Sequence, residues 1–522
     1  MLGRTAPLPL LALSFLVVPV VGCGGGGSSG GGGSAAAAAT AGSPAAIADV
    51  TSVRLPGASV LSGDVPVIFS VADPAGALAT VAVTYSVDGG GSWHTATPAA
   101  NSPGLSDLAT GPAPGVEHTF IWATASDIPS LAGALVRVAR VGAPGQTSSQ
   151  AVIDNAPLNA SVRLNRRPYL QLTQQTSTII CWRTEADTDS VVEWGPTPLL
   201  GQAAGNPGSR AKSHAVEIVG LQPGTTYYYR VSSSGQPVTA RGTFTTAPAS
   251  NVSDFTFLAF GDSGTASPEQ LALGRRMATE QVDFAIHTGD VIYPYGALAN
   301  PVGEYNERFF RPYEDFLDRL PIFPVIGNHD LIALLGQPFK DVFHLPDNGS
   351  SIAKELYFSF EWGDAKFIAL ETTGLFLVPV GDHATWLQRE IQNNTKKWLI
   401  VYMHIPLYSC GSHGDSAVLK HVLGPQFENG KVDLVIAGHD HNYERTRPIK
   451  DFNRDPAYPG LVHIITGGGG AGLRGVNPNS RTATAVRAHH YVKFRVQGDT
   501  IHGEAIDLGG QVIDAFSVQN IP

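Results

Sequence analysis

Cysteine is scarce, with three residues in 522, at positions 23, 181 and 410. So few cannot form the disulfide framework that stabilises small secreted scaffolds. Charge is also sparse: Asp, Glu, Lys and Arg make up 15% of the chain, the net charge is −10, and Lys and Arg nowhere form a run. Without a basic stripe the chain has no means of gripping a phosphodiester backbone, which excludes nucleic acid as a structural partner. Its N-terminal apolar run, Leu8 to Val21, is shorter than the roughly 20 residues a spanning helix needs. Glycine (59 residues) and proline (37) are plentiful beside a 43% apolar content, a balance that predicts short strands and turns rather than long helices. At this length one core is not enough, and about three domains are expected.

Composition shifts divide the chain. Arg4, the apolar run and Gly22-Cys23 read as a secretory signal over residues 1–22. The small residue before Cys23 resembles a bacterial lipobox, which implies a lipidated cysteine and an extracytoplasmic protein anchored to a membrane or cell surface. The alternative is an ordinary signal peptide and a secreted chain. Residues 23–47, rich in Gly and Ser and then Ala, form a flexible tether. Residues 48–157 read as an immunoglobulin-like β domain, with strands at Val67–Phe69, Val81–Tyr85, Phe120–Trp122 and Val136–Val138 and a hairpin at Asp88-Gly89.

A second β unit covers 158–249, with strands at Ser177–Trp182, Ser190–Trp194 and His214–Ile218. Its segment Gly220-Leu221-Gln222-Pro223-Gly224, followed by Tyr227-Tyr228-Tyr229, resembles the turn and tyrosine corner of fibronectin type III domains. Over 250–522 the strands are apolar at consecutive positions, as in sheets buried on both faces. They fall at Phe255–Phe260, Phe284–Thr288, Ile322–Ile326, Trp398–Met403, Val432–Ala437 and Val462–Thr466. Helical segments alternate with them. One is signalled by Ser267 as cap, Pro268 at its first position and Gln270 closing a capping box; another runs through Trp386, Leu387 and Ile391. The last domain is therefore α/β.

All but the last of these strands end in a motif that carries metal-ligating side chains. They are Asp262 in Gly-Asp-Ser-Gly, Asp290 and Tyr293 in Gly-Asp-Val-Ile-Tyr, Asn328 in Gly-Asn-His-Asp, His404 in Met-His-Ile-Pro, and His439 and His441 in Gly-His-Asp-His. A site just beyond the carboxyl ends of strands is where α/β sheets bind ligands. Seven oxygen and imidazole donors suit two hard or borderline cations rather than one. Two such cations about 3.5–4 Å apart are a common device for attacking a phosphate ester with a metal-bound hydroxide.

The order of these motifs, together with Arg167-Pro168-Tyr169-Leu170-Gln171, resembles the purple acid phosphatases of the metallophosphoesterase superfamily over about 161–518. The implied fold is N-terminal all-β sandwiches followed by an α/β metallophosphoesterase domain of two packed mixed β-sheets flanked by helices. By resemblance, Asp262, Tyr293 and His441 would hold Fe(III), Asn328, His404 and His439 a divalent Fe, Zn or Mn, and Asp290 would bridge them. Gly264 stands where many other metallophosphoesterases place a histidine, and Tyr293 is the compensating ligand that distinguishes the purple type. His329 and His413 match the family's catalytic histidines, with His413 a proton donor or substrate positioner. The role of Asp330, where many relatives have glutamate, stays open. Tyr443-Glu444-Arg445 reads as support for the ligand loop, and Gly467–Gly470 as a tight turn under the metals.

The expectation is an exported acid phosphatase acting on small phosphate monoesters. A phosphodiesterase on the same centre and a surface-binding protein with a vestigial metal domain are the competing readings. Oligomeric state is left open.

Overall fold

The computed structural model describes residues 49–349, 353–374 and 382–521. The signal segment, Cys23 and the tether lie outside the described residues. No helix among those described is long and apolar enough to cross a membrane.

Alternation of buried and exposed positions, as in Asp64–Ala72, builds the first β unit as two facing sheets. A three-stranded sheet of Asp49–Arg54, Asp64–Ala72 and Val116–Ala123 lies opposite a five-stranded one centred on Val81–Ser86 and Ala132–Arg140. Their inner faces close on Phe69, Phe120 and Trp122. The hairpin expected at Asp88-Gly89 is present as a longer loop. The Asp88 carboxylate accepts bonds from the Ser92 backbone and from the Ser86 and Ser92 hydroxyls, which stabilises a turn wider than two residues.

The second unit differs from its sequence reading in strand length. Ser177–Trp182 and Ser190–Trp194 are parts of one strand, Ser177–Gly195, and its partner Gln202–Val219 is likewise continuous. Nothing in Thr184–Asp189 breaks a strand, and shifts of register between Arg183 and Ser190 absorb the bend. Gly205, at φ +101°, supplies the matching irregularity opposite. The tyrosine corner forms as expected, with the Gln222 backbone N–H donating to the Tyr227 hydroxyl at 2.9 Å.

In the last third of the chain we label the six strands leading to the site β1 to β6. β1 (Asp254–Phe260), β2 (Phe284–His287) and β3 (Ile322–Pro324) are parallel neighbours, and an antiparallel run of His490–Gln497, Thr500–Asp507 and Val512–Gln519 extends that sheet from β1. β4 (Trp398–Met403), β5 (Leu434–Ala437) and β6 (Val462–Thr466) are the parallel centre of a second, seven-stranded sheet. The sheets pack face to face through aromatic rings: Phe257 and Phe284 of the first meet Phe367 of the second at 5.3 and 5.2 Å between centroids. Helices Pro268–Met277, Asp382–Gln392 and Ala417–Asn429 flank them. The Ser267 hydroxyl caps the first by accepting from Gln270 N–H. The Gln270 side chain reaches back to the Thr265 and Ala266 amides rather than to the cap itself.

Cys181 and Cys410 are both buried free thiols. Cys181, Tyr169 and Ala247 of the second β unit join the hydrophobic cluster of the α/β unit. The Tyr169 and Tyr229 hydroxyls reinforce that seam, donating to the carbonyls of Val342 and Asp318 at 2.8 and 2.6 Å.

Candidate metal centre

Each ligand motif begins where a buried strand stops. β1 delivers Asp262, β2 Asp290, β4 His404 and β5 His439, and all four side chains converge just beyond the carboxyl ends of those strands. The turns are made by the candidate ligands themselves: Asp262, Asp290 and His439 hold φ of +57°, +54° and +71°. The preceding glycines serve mostly close approach. A Cβ at Gly327 would lie 2.1 Å from the Asp290 backbone nitrogen, and one at Gly289 2.7 Å from His404 Nδ1.

The seven side chains fall into two groups that meet at Asp290. On one side the Tyr293 hydroxyl lies 3.1 Å from Asp262 Oδ1, 3.0 Å from His441 Nε2 and 2.8 Å from Asp290 Oδ2. On the other, His404 Nε2 lies 2.9 Å from Asn328 Oδ1, 3.2 Å from His439 Nδ1 and 3.4 Å from Asp290 Oδ2. Asp262, Asp290 and His404 are buried, with donor atoms mutually within 4.8 Å.

Two backbone carbonyls fix the tautomers. His404 Nδ1 bonds to Thr288 O at 2.9 Å and His441 Nδ1 to Gly472 O at 2.8 Å. Each ring must donate there, so in its neutral form each turns an Nε2 lone pair inward, toward carboxylate and amide oxygens that are also acceptors. One phenolic proton on Tyr293 faces three acceptors. Such a surplus of lone pairs in a buried space fits cations and little else. The electrostatics agree. Burial opposes charge on His404, but the Asp290 carboxylate raises the ring to about 9. Burial, then Asp262 and Asp290, push the Tyr293 phenol well above its ordinary value.

Gly264 explains why a tyrosine stands in this set. A Cβ there would sit 1.8 Å from the Val291 carbonyl, so no side chain fits, and Gly264 O accepts the Tyr293 N–H at 2.9 Å. Asp330, whose role the sequence left open, organises the Asp290 loop. Its carboxylate accepts from the backbone N–H groups of Val291, Ile292 and Gly327 at 3.0, 2.9 and 2.9 Å.

His329 and His413 flank the two groups. His329 packs on the Tyr293 ring at 4.5 Å, and its backbone N–H donates to Asp290 Oδ1. His413 stacks on His439 at 4.0 Å, with its Nδ1 held by Asp440 Oδ1 at 2.9 Å. Asp440 is fully buried and also accepts from the Ser409 hydroxyl at 2.5 Å, tying the His413 loop to the Gly-His-Asp-His motif. Glu444 does similar service, accepting the Cys410 N–H at 2.7 Å, while Arg445 pairs instead with Asp514. The glycine run packs on the Asp262 turn, with Gly469 N–H donating to Gly261 O and Ala471 N–H to Asp262 O.

Three residues here escaped sequence reasoning. Asp440 was visible inside its motif but unassigned. His287 is buried beneath Ser263, against its hydroxyl at 2.9 Å. Arg474 lies beyond the glycine run and donates from Nη1 to His413 Nε2 at 2.6 Å.

Comparison with known proteins matches this architecture. Residues 255–443 match the calcineurin-like phosphoesterase family, and residues 166–246 match the purple acid phosphatase N-terminal domain. The chain thus carries a calcineurin-like phosphoesterase domain behind a purple acid phosphatase N-terminal domain. It is 28% identical to human acid phosphatase type 7 over 389 residues, covering 65% of this chain and 86% of that protein. Against purple acid phosphatase 22 of Arabidopsis thaliana it is 27% identical over 302 residues, 54% of this chain and 66% of that one. Its fold is similar to the purple acid phosphatase PPD1 from yellow lupin seeds, at TM-score 0.59 and 17% identity over 90% of this chain and 95% of that one. The phosphoesterase domain makes the protein a phosphate-ester hydrolase, and the similarity to purple acid phosphatases implies a binuclear metal centre, which the converging donors fit.

Proposed function

We propose that the protein is an exported acid phosphatase that hydrolyses small phosphate monoesters on an Fe(III)–M(II) pair, where M is Fe, Zn or Mn. The observation that carries this is the division of donors about Asp290. Carboxylate and phenolate of Asp262 and Tyr293, with His441, suit a hard trivalent ion; Asn328, His404 and His439 suit a divalent one. Asp290 touches both groups and would hold both ions. When bound, the metal pair supplies an ionised water at modest pH and neutralises charge on the phosphoryl oxygens. The residues around it orient the ester. His413 and His329 stand on opposite groups of ligands, placed to contact the phosphoryl and leaving-group oxygens. Asp440 holds the His413 ring, and Asp330 holds the turn from which Asp290 projects. The division into signal (1–22), tether (23–47), two β domains (48–157 and 158–249) and catalytic domain (250–522), with a lipid anchor at Cys23, belongs to the same proposal.

The test is a visible spectrum with metal analysis on the same sample. A broad charge-transfer band that vanishes in Tyr293→Phe is the expected outcome. Colourless protein with two divalent ions would sink the Fe(III) assignment. A higher kcat/KM on an aryl diester than on the matching monoester would overturn the monoester assignment.

A further inference from the structure

Arg474 places a guanidinium at the rim of the centre. Its backbone N–H donates to His441 O at 3.0 Å, which anchors the segment to a ligand residue. Its Nη1 donates to His413 Nε2 at 2.6 Å, and His413 in turn lies flat on His439 with 23° between the rings. Of the nearby arginines, Arg445 is paired with Asp514 and Arg481 with Asp415, while Arg487 donates to the Leu473 carbonyl at 3.3 Å. Among the described residues no carboxylate stands within ion-pair distance of Arg474, and its one side-chain partner is an imidazole. A guanidinium is donor-only, so His413 Nε2 accepts and the ring proton sits on Nδ1 toward Asp440. Arg474 is thus a half-exposed cation that keeps most of its five N–H donors, beside a site that takes an anion.

We propose that Arg474 is a substrate-binding residue that grips free phosphoryl oxygens and sets the preference for monoesters over diesters. The inference rests on the phosphatase reading above. A monoester offers terminal oxygens carrying nearly two negative charges. A diester replaces one of those oxygens with a second ester link and carries one charge. A planar guanidinium can pair with two terminal oxygens of either ester, but the monoester's extra charge and third terminal oxygen strengthen its charge-assisted hydrogen bonds and leave one more acceptor for Arg474. On binding, Arg474 turns from His413 Nε2 to the phosphoryl oxygens, leaving that nitrogen facing the substrate. No bond is made or broken in this step; it is recognition only.

The experiment uses metal-loaded protein, with metal content and melting temperature checked for wild type, Arg474→Ala and Arg474→Lys. Three quantities are read: kcat/KM on an aryl monoester, kcat/KM on the matching diester, and calorimetric affinity for inorganic phosphate. Loss of one charged hydrogen-bonding group predicts a fall of about 10- to 100-fold in monoester kcat/KM and in phosphate affinity for Arg474→Ala. Diester turnover is expected to change less than about threefold, and Arg474→Lys to recover part of the phosphate affinity. Equal losses on both esters would make Arg474 a mere support of the His413 loop and overturn the proposal. Monoester preference and phosphate affinity that persist in Arg474→Ala would also overturn it, leaving the phosphatase reading intact. Wild-type protein that prefers the diester would instead overturn the monoester reading, and this proposal with it.

Discussion

At the scale of single residues, the centre depends on side chains that never touch a metal. Asp330 is the clearest case, because three backbone N–H groups from two loops end on its carboxylate. Asp330→Asn keeps the shape but turns an NH2 group against at least one of those donors. A buried donor left facing a donor is destabilising by about 1–3 kcal/mol. The Asp290 turn relaxes as a result, so metal affinity is expected to fall about 10- to 100-fold while the overall fold survives. Metal titration of the refolded variant, read beside its circular dichroism, checks both halves of that statement. The convergence of the seven donor side chains was legible because each follows a buried strand and each is an expensive residue to bury without purpose. Asp440 and Arg474 were not legible. Their roles depend on which imidazole nitrogen they reach, and spacing along a chain carries no such information.

At the scale of elements, the strands of the α/β unit were legible to within about two residues, since consecutive apolar positions leave few alternatives. Expected Phe284–Thr288 is observed as Phe284–His287, and Trp398–Met403 matches at both ends. The second β unit was read less well. Gly205-Asn206-Pro207-Gly208 looks like strand punctuation, yet Gln202–Val219 runs through it. Pairing with the 19-residue strand alongside outweighs the local preference, because the ladder on both flanks satisfies backbone groups that a turn would have to expose. The tyrosine corner was legible, since a turn and a tyrosine at fixed offset are a local signal. Tyr227→Phe removes the acceptor of the Gln222 N–H and is expected to destabilise the protein by about 1 kcal/mol. Because Tyr227 belongs to the hydrophobic cluster of the second β unit, kcat/KM is expected to stay unchanged. Chemical denaturation with a parallel assay separates the two effects; a variant as stable as wild type would mean the corner bond is replaced by water.

At the scale of the whole molecule, the fold carries a sensitivity to acid that its proposed activity must withstand. Burial pushes His463 down to about 3, and neither of its ring nitrogens has a hydrogen-bond partner. Burial likewise lowers His287 to about 3 and His490 to about 4. In each case the folded state refuses a proton that the unfolded chain takes up near pH 6.5. The stability these groups contribute is therefore complete above about pH 6.5 and is lost as pH falls toward 3–4. At pH 5 a single group held at about 3 lowers stability by about 2 kcal/mol relative to neutral pH. Asp433 acts in the opposite sense. Burial raises its carboxyl to about 7, so the folded state binds that proton first and gains stability as pH drops from about 7 to about 4. The full pH curve is a sum of opposed terms, and only a difference between proteins isolates one of them. His463→Leu provides it, since the lost ring makes no hydrogen bond that the apolar side chain would have to replace. Its stability relative to wild type is expected to rise by about 2 kcal/mol between pH 7.5 and pH 5. Urea denaturation at the two pH values measures that change. Parallel curves would show that His463 is protonated in the folded state and that the acid limit of the fold lies elsewhere.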